Sequence, residues 1–141
     1  MTAALPGTPE LRGTGPVPDE RPFRVTDACV AHCVFCAEHV PRRTPDLATD
    51  AVLGRLEKAL EIEVPRRLVL SGGEPTLHPL LGRLVVVARQ RGCAEVEVET
   101  LGLPLVDAAR VQRLVAAGVT RLRLTLVAGD AGVDWDVFVR D

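Results

Sequence analysis

A chain of 141 residues with 47% hydrophobic content is long enough to bury the core of one domain. Seventeen basic side chains against nineteen acidic ones leave a net charge of -2, which gives no electrostatic reason to expect nucleic acid or an anionic membrane as a partner. No apolar run approaches the roughly 20 residues of a membrane span: Leu84-Val85-Val86-Val87-Ala88 is closed off by Arg83 and Arg89, and the chain reads as a soluble, cytoplasmic domain.

Residues 1–21 hold Pro6, Pro9, Pro16 and Pro18 with Gly7, Gly13 and Gly15, and show almost no apolar periodicity. Such a composition cannot offset chain entropy by burial, and it lacks the apolar core of a targeting peptide, so a disordered leader is expected before a domain over 22–141. Phe23-Arg24-Val25-Thr26 alternates as a strand does and leads directly into Cys29-Val30-Ala31-His32-Cys33-Val34-Phe35-Cys36, where three of the four cysteines fall within eight residues.

Clustered thiolates are soft ligands that suit iron-sulfur clusters, zinc or Cu(I). Three of them hold three irons of a [4Fe-4S] cube and leave the fourth open, whereas a structural zinc site needs a fourth ligand, for which His32 and His39 are the candidates. A disulfide with a spare thiol fits poorly with a chain that shows no signal peptide. Simple apolar packing fits poorly with cysteines set beside histidine and arginine. The polar, proline-bounded stretch 37–45 continues this loop, with His39, Arg42 and Arg43 read as solvated charge.

A helix is predicted from Thr49-Asp50, with Val52, Leu53, Leu56, Ala59 and Leu60 at helical spacing and Pro65 as its stop. The short apolar run from Arg67 to Ser71 suits a parallel strand buried on both faces, and it ends in Gly72-Gly73. Glycines there permit positive φ and close approach of backbone, while Glu74 adds a carboxylate able to pair a ligand ammonium; taken alone, Gly72-Gly73-Glu74-Pro75 is an ordinary turn.

A second helix runs from Pro79 to a stop at Gly92, with Leu80, Leu81, Leu84, Val85 and Ala88 on one face. A third spans Pro104 to Ala117 and stops at Gly118. Around it lie two strict alternations, Glu95–Thr100 and Arg121–Leu126, predicted as strands. If helices cover the apolar face, Glu97, Glu99, Arg121, Arg123 and Thr125 line a polar interior. Cys93, at the start of the third strand and far from the cysteine loop, reads as structural. Lys58 is the sole lysine and has no apolar pocket around it, which disfavours Schiff-base chemistry. The repeated strand-helix order defines an α/β class with parallel strands and active groups at the strands' carboxyl ends.

Two stretches together resemble the radical SAM enzymes. One is Cys29, Cys33 and Cys36 with Phe35 just before the last cysteine; the other is Leu68-Val69-Leu70-Ser71-Gly72-Gly73-Glu74-Pro75-Thr76, similar to the strand and GGEP segment that in this family holds the amino group of S-adenosylmethionine. The resemblance covers roughly residues 22 to 141. It implies a partial parallel (β/α) barrel, about four β/α units of a TIM-like core that stops short after its fourth strand.

It further implies that Cys29, Cys33 and Cys36 hold a [4Fe-4S] cluster whose open iron chelates S-adenosylmethionine, with Phe35, Gly72, Gly73, Glu74, Glu99 and Thr125 as cofactor-binding residues. An electron from an external donor then cleaves S-adenosylmethionine to a 5'-deoxyadenosyl radical that takes hydrogen from an unidentified substrate. Thr100-Leu101-Gly102 departs at Leu101 from the Thr-Asn-Gly of many family members. Because the sequence halts at Val137–Asp141, a second chain completing the barrel is expected, or else an incomplete catalyst. The rival reading is a non-catalytic zinc or iron-sulfur module, or an inactive fragment of such an enzyme.

Overall fold

The expected strands pair in parallel, in the simple order of the chain. The computed structural model describes residues 19–29 and 49–125. Within them β1 (Glu20–Thr26), β2 (Arg67–Gly72), β3 (Glu95–Thr100) and β4 (Arg121–Leu124) form one open sheet ordered β1-β2-β3-β4, every neighbouring pair parallel. The helices α1 (Thr49–Ile62), α2 (Leu81–Gln90) and α3 (Ala108–Ala117) alternate with these strands. The α/β class and the partial (β/α) architecture are therefore present, as a sheet and not a closed barrel.

Alternation along the strands decides which face the helices cover. Leu68, Leu70, Val96 and Val98 point to one side and are buried with Val52, Leu56 and Leu60 of α1, Leu81, Leu84, Val85 and Ala88 of α2 and Leu114 of α3. Fully burying one such leucine or valine stabilises the fold by roughly 1.5–3 kcal/mol, so this layer outweighs any single polar contact. Val69 is buried on the opposite face, which makes β2 apolar on both sides as its continuous run demands.

Helix ends follow sequence chemistry closely. Gly92 and Gly118 both take positive φ, and the pairs Cys93 N–H to Ala88 O with Gly92 N–H to Arg89 O, and Val119 N–H to Leu114 O with Gly118 N–H to Val115 O, close α2 and α3 in the same glycine-terminated pattern. The third helix starts later than its apolar pattern suggests. Leu103–Val106 forms a 3-10 turn, and Asp107 then caps α3 by accepting from the N–H of Ala109 at 2.9 Å. Pro104 initiates the tight turn, but the Asp107 side chain fixes where the α-helix begins.

β1 also corrects the predicted boundary: Glu20 and Arg21, assigned to the leader, are strand residues paired with Arg67 and Leu68. Their charges hid them, because Glu20 is held by ion pairs and not by apolar burial. β4 ends at Leu124, one residue before Thr125, whose N–H nevertheless donates to Thr100 O at 2.9 Å. Residues 1–18, which include most of the expected leader, lie outside the described residues.

Candidate active site

Three loops meet at the carboxyl ends of β1, β2 and β3, and the glycine loop after β2 is the centre of the arrangement. Gly72 has φ 128°, and a Cβ on it would fall 2.3 Å from Thr26 O. A Cβ on Gly73 would fall 2.3 Å from Ala28 O. Those two carbonyls accept hydrogen bonds from Gly73 N–H and Glu74 N–H, each at 2.7 Å. The two glycines therefore let the backbone of the loop lie directly on residues 26–28, the segment that delivers Cys29. Cys29 is a partly exposed free thiol at the end of that segment.

The Glu74 side chain faces the other way. It is 0% exposed, and its carboxylate accepts four hydrogen bonds: Oε1 from Thr76 N–H (3.1 Å), Thr76 hydroxyl (2.5 Å) and Thr100 hydroxyl (2.7 Å), and Oε2 from Leu101 N–H (2.8 Å). Glu74, expected to offer its carboxylate to a ligand ammonium, has both oxygens engaged by donors of the protein, and the residue is a tie between loops. Its main chain holds the loop after β1 and its side chain holds the loop after β3. Thr100 in turn accepts from Gly102 N–H at 3.0 Å, which fixes the left-handed turn at Gly102.

Sequence reasoning missed Thr76, Thr100 and the Leu101 N–H. The signal was present in Thr100, a hydroxyl on the apolar, helix-covered face of β3 where valines precede it; a buried hydroxyl demands a partner. The departure at Leu101 leaves this contact intact, because Leu101 contributes its main chain.

The sheet face away from the helices carries the expected polar ladder. Arg67 bonds Glu95 at 2.8 Å and Glu20 at 3.3 Å; Arg121 bonds Glu95 at 3.0 Å; and Arg123 reaches Glu20 at 3.3 Å. Arg123 Nε also stands 2.5 Å from Glu97 Oε1, in a contact too poorly aligned to count as a hydrogen bond, so that oxygen has no hydrogen-bond donor among the described residues although Glu97 is only 4% exposed. The hydrogen bond from Arg67 is the main reason the Glu95 carboxyl is held below its usual range, and the same bond raises the Arg67 pKa. The amino-terminal half of this face is thereby closed by mutually paired charges.

Glu99 lies one step further toward the glycine loop. Arg123, its neighbour in register, turns back to Glu97 and Glu20, so Glu99 has no ion-pair partner among the described residues. Thr125 is exposed beyond β4. Cys33, Cys36 and Phe35 lie outside the described residues, as do His32 and His39. Cys93 sits at the amino end of β3, buried, its thiol pushed up by that burial, and it belongs to the apolar core.

A pair of glycines thus seats one strand-end loop against the segment that carries Cys29, at the carboxyl edge of a parallel α/β sheet. A family model of the Radical SAM superfamily matches residues 23–137, and the chain belongs to that superfamily, whose members generally use a [4Fe-4S] cluster and S-adenosylmethionine. The GTP 3',8-cyclase of Chlorobaculum tepidum is 35% identical over 105 residues, covering 72% of this chain and 31% of that protein. The chain thus spans about 31% of the length of this curated relative. Among the described residues no helix is long and apolar enough to cross a membrane.

Proposed function

We propose that this chain is the cluster- and S-adenosylmethionine-holding part of a radical SAM enzyme, with Cys29, Cys33 and Cys36 as the ligands of a [4Fe-4S] cluster. The observation that carries the proposal is the backbone clamp of Gly73 and Glu74 on Thr26 and Ala28, which sets the glycine loop beside the residue that begins the cysteine motif. The donor chemistry fits: Cys29 is a free, partly exposed thiol on a loop and not a core residue.

When bound, the cluster and S-adenosylmethionine supply a one-electron reductive cleavage to methionine and a 5'-deoxyadenosyl radical, the hard chemistry that the protein only positions. The chain's own residues do the positioning. Gly72 and Gly73 bring main chain to the cofactor, and the Gly73 carbonyl, which accepts no hydrogen bond among the described residues, is the acceptor available to an amino group. Glu74 holds the loop rigid instead of contacting the ligand. Phe35, Glu99 and Thr125 complete the cofactor surface, and an external donor supplies the electron. The substrate that yields the hydrogen binds over the polar face beyond Glu97.

Anaerobic reconstitution tests this. The protein should turn brown and hold about four irons. Replacing Cys29, Cys33 or Cys36 by Ala should abolish iron binding, and Cys93→Ala should not. A colourless protein with one tightly bound zinc, or equal iron loss in Cys93→Ala, would overturn the assignment.

A further inference from the structure

On the helical side of the sheet, a cleft of about 300 Å³ separates the start of α2 from α3, with walls that include Thr76, His78, Gly82, Arg110, Arg113 and Leu114. Its charge is one-sided. Arg110 and Arg113 stand three residues apart on α3 and so share a face. Arg110 is half-buried and has no acidic partner among the described residues, while Arg113 has only one oxygen of Asp107, 3.8 Å away. The other Asp107 oxygen is occupied as the α3 cap.

Across the cleft, α2 begins at Leu80 without a side-chain cap, and the N–H groups of Gly82 and Arg83 have no acceptor among the described residues. An uncapped helix start carries partial positive charge. Independently, His78 lines the same cleft and is 4% exposed. Its Nδ1 accepts from Leu80 N–H at 3.2 Å, which places the ring proton on Nε2, a donor without an acceptor among the described residues. Burial, with the nearby Arg55 charge adding to it, lowers the His78 pKa, consistent with a neutral ring that donates from Nε2.

We propose that this cleft is a binding site for a small phosphate group, either free phosphate or a phosphate monoester. Two guanidinium groups, the free Gly82 N–H at the helix start and one imidazole N–H are complementary to a tetrahedral dianion, and the volume lies at the lower end of ligand pockets, which suits a small ester and not a dinucleotide. Thr76 lines the cleft and its hydroxyl donates to Glu74, so the cleft shares a residue with the tie between the loops.

Titration of the full 141-residue chain with inorganic phosphate and with glycerol phosphate, followed by the backbone amide resonance of Gly82 and by the His78 ring, tests the proposal. Saturable shifts at both are expected, and whichever probe saturates at lower concentration identifies the free ion or the ester as the ligand chemistry. Arg110→Gln and Arg113→Gln should each weaken binding at least about tenfold, the ratio expected from losing a charge-assisted hydrogen bond. Arg66→Gln, at the other end of the sheet, should stay within about twofold, as a remote surface charge does. Arg110→Lys keeps the charge without the fork and serves if Arg110→Gln does not fold; it too should bind more weakly. Non-saturating shifts, or equal weakening in Arg66→Gln, would show general surface electrostatics and overturn the site.

Discussion

Glu74 accepts four hydrogen bonds from two different loops, and that number sets what substitution there does. Glu74→Gln places an amide N–H₂ against a donor that now faces an oxygen, and should destabilise the protein by roughly 1–3 kcal/mol, the cost of leaving a buried donor unsatisfied. Thr100→Val, which keeps the shape and removes one hydroxyl, should cost about 1–2 kcal/mol by the same reasoning. Thermal unfolding of both variants checks this, and an unchanged midpoint in Glu74→Gln would mean that the carboxylate is not the tie described. The residue type at 74 was legible in the sequence, but its direction was not. Its partner Thr100 is 26 residues away, and nothing in a Gly-Gly-Glu-Pro turn shows that the side chain points back into the layer of helices.

At the scale of elements, the docking of the glycine loop on the end of β1 has no slack. Gly72→Ala would combine a positive φ with a 2.3 Å approach to main chain that cannot move aside like a side chain. A loss of at least about 2 kcal/mol is expected, from overpacking of 1–3 kcal/mol with backbone strain added. Gly73→Ala should behave alike, whereas Gly54→Ala, where nothing lies within 4 Å, should be neutral or stabilising. Urea unfolding of the three variants orders them.

The ladder on the polar face carries a pH signature. Glu95 is held below its ordinary carboxyl range chiefly by Arg67, so its contribution is present above the unfolded value of about 4.5 and is lost as pH falls through the lower folded value. Arg67→Met should flatten that acid limb in a pH series of unfolding midpoints, and an identical acid limb would remove Glu95 from the account. These elements differ in how far sequence reveals them. Helix stripes and glycine stops were legible because local periodicity encodes them. The amino end of β1 and the late start of α3 were not, because Glu20 is fixed by arginines on β2 and β4 and Asp107 by a cap, neither of which leaves an apolar period.

For the whole molecule, parallel pairing in chain order puts the ends of β1, β2 and β3 at one edge, so the segment that leads to Cys29 and the glycine loop become neighbours without any further device. On the far side Leu122 and Leu124 of β4 remain 41% and 56% exposed, so the apolar layer thins toward that edge, while at the site end Glu74, Thr76 and Thr100 are buried and hydrogen-bonded to one another. The fold class followed from the strand-helix order alone. The geometry of the site did not, since it rests on backbone contacts that any sequence with two glycines at that point permits.

Whether the cysteine loop and the glycine loop form one cofactor site is decided by electron paramagnetic resonance of the reconstituted, reduced protein with and without S-adenosylmethionine. A reduced-cluster signal that changes shape on addition of S-adenosylmethionine, and does so less in a folded Gly73→Ala variant, is the predicted result. A cluster signal indifferent to S-adenosylmethionine would contradict the claim.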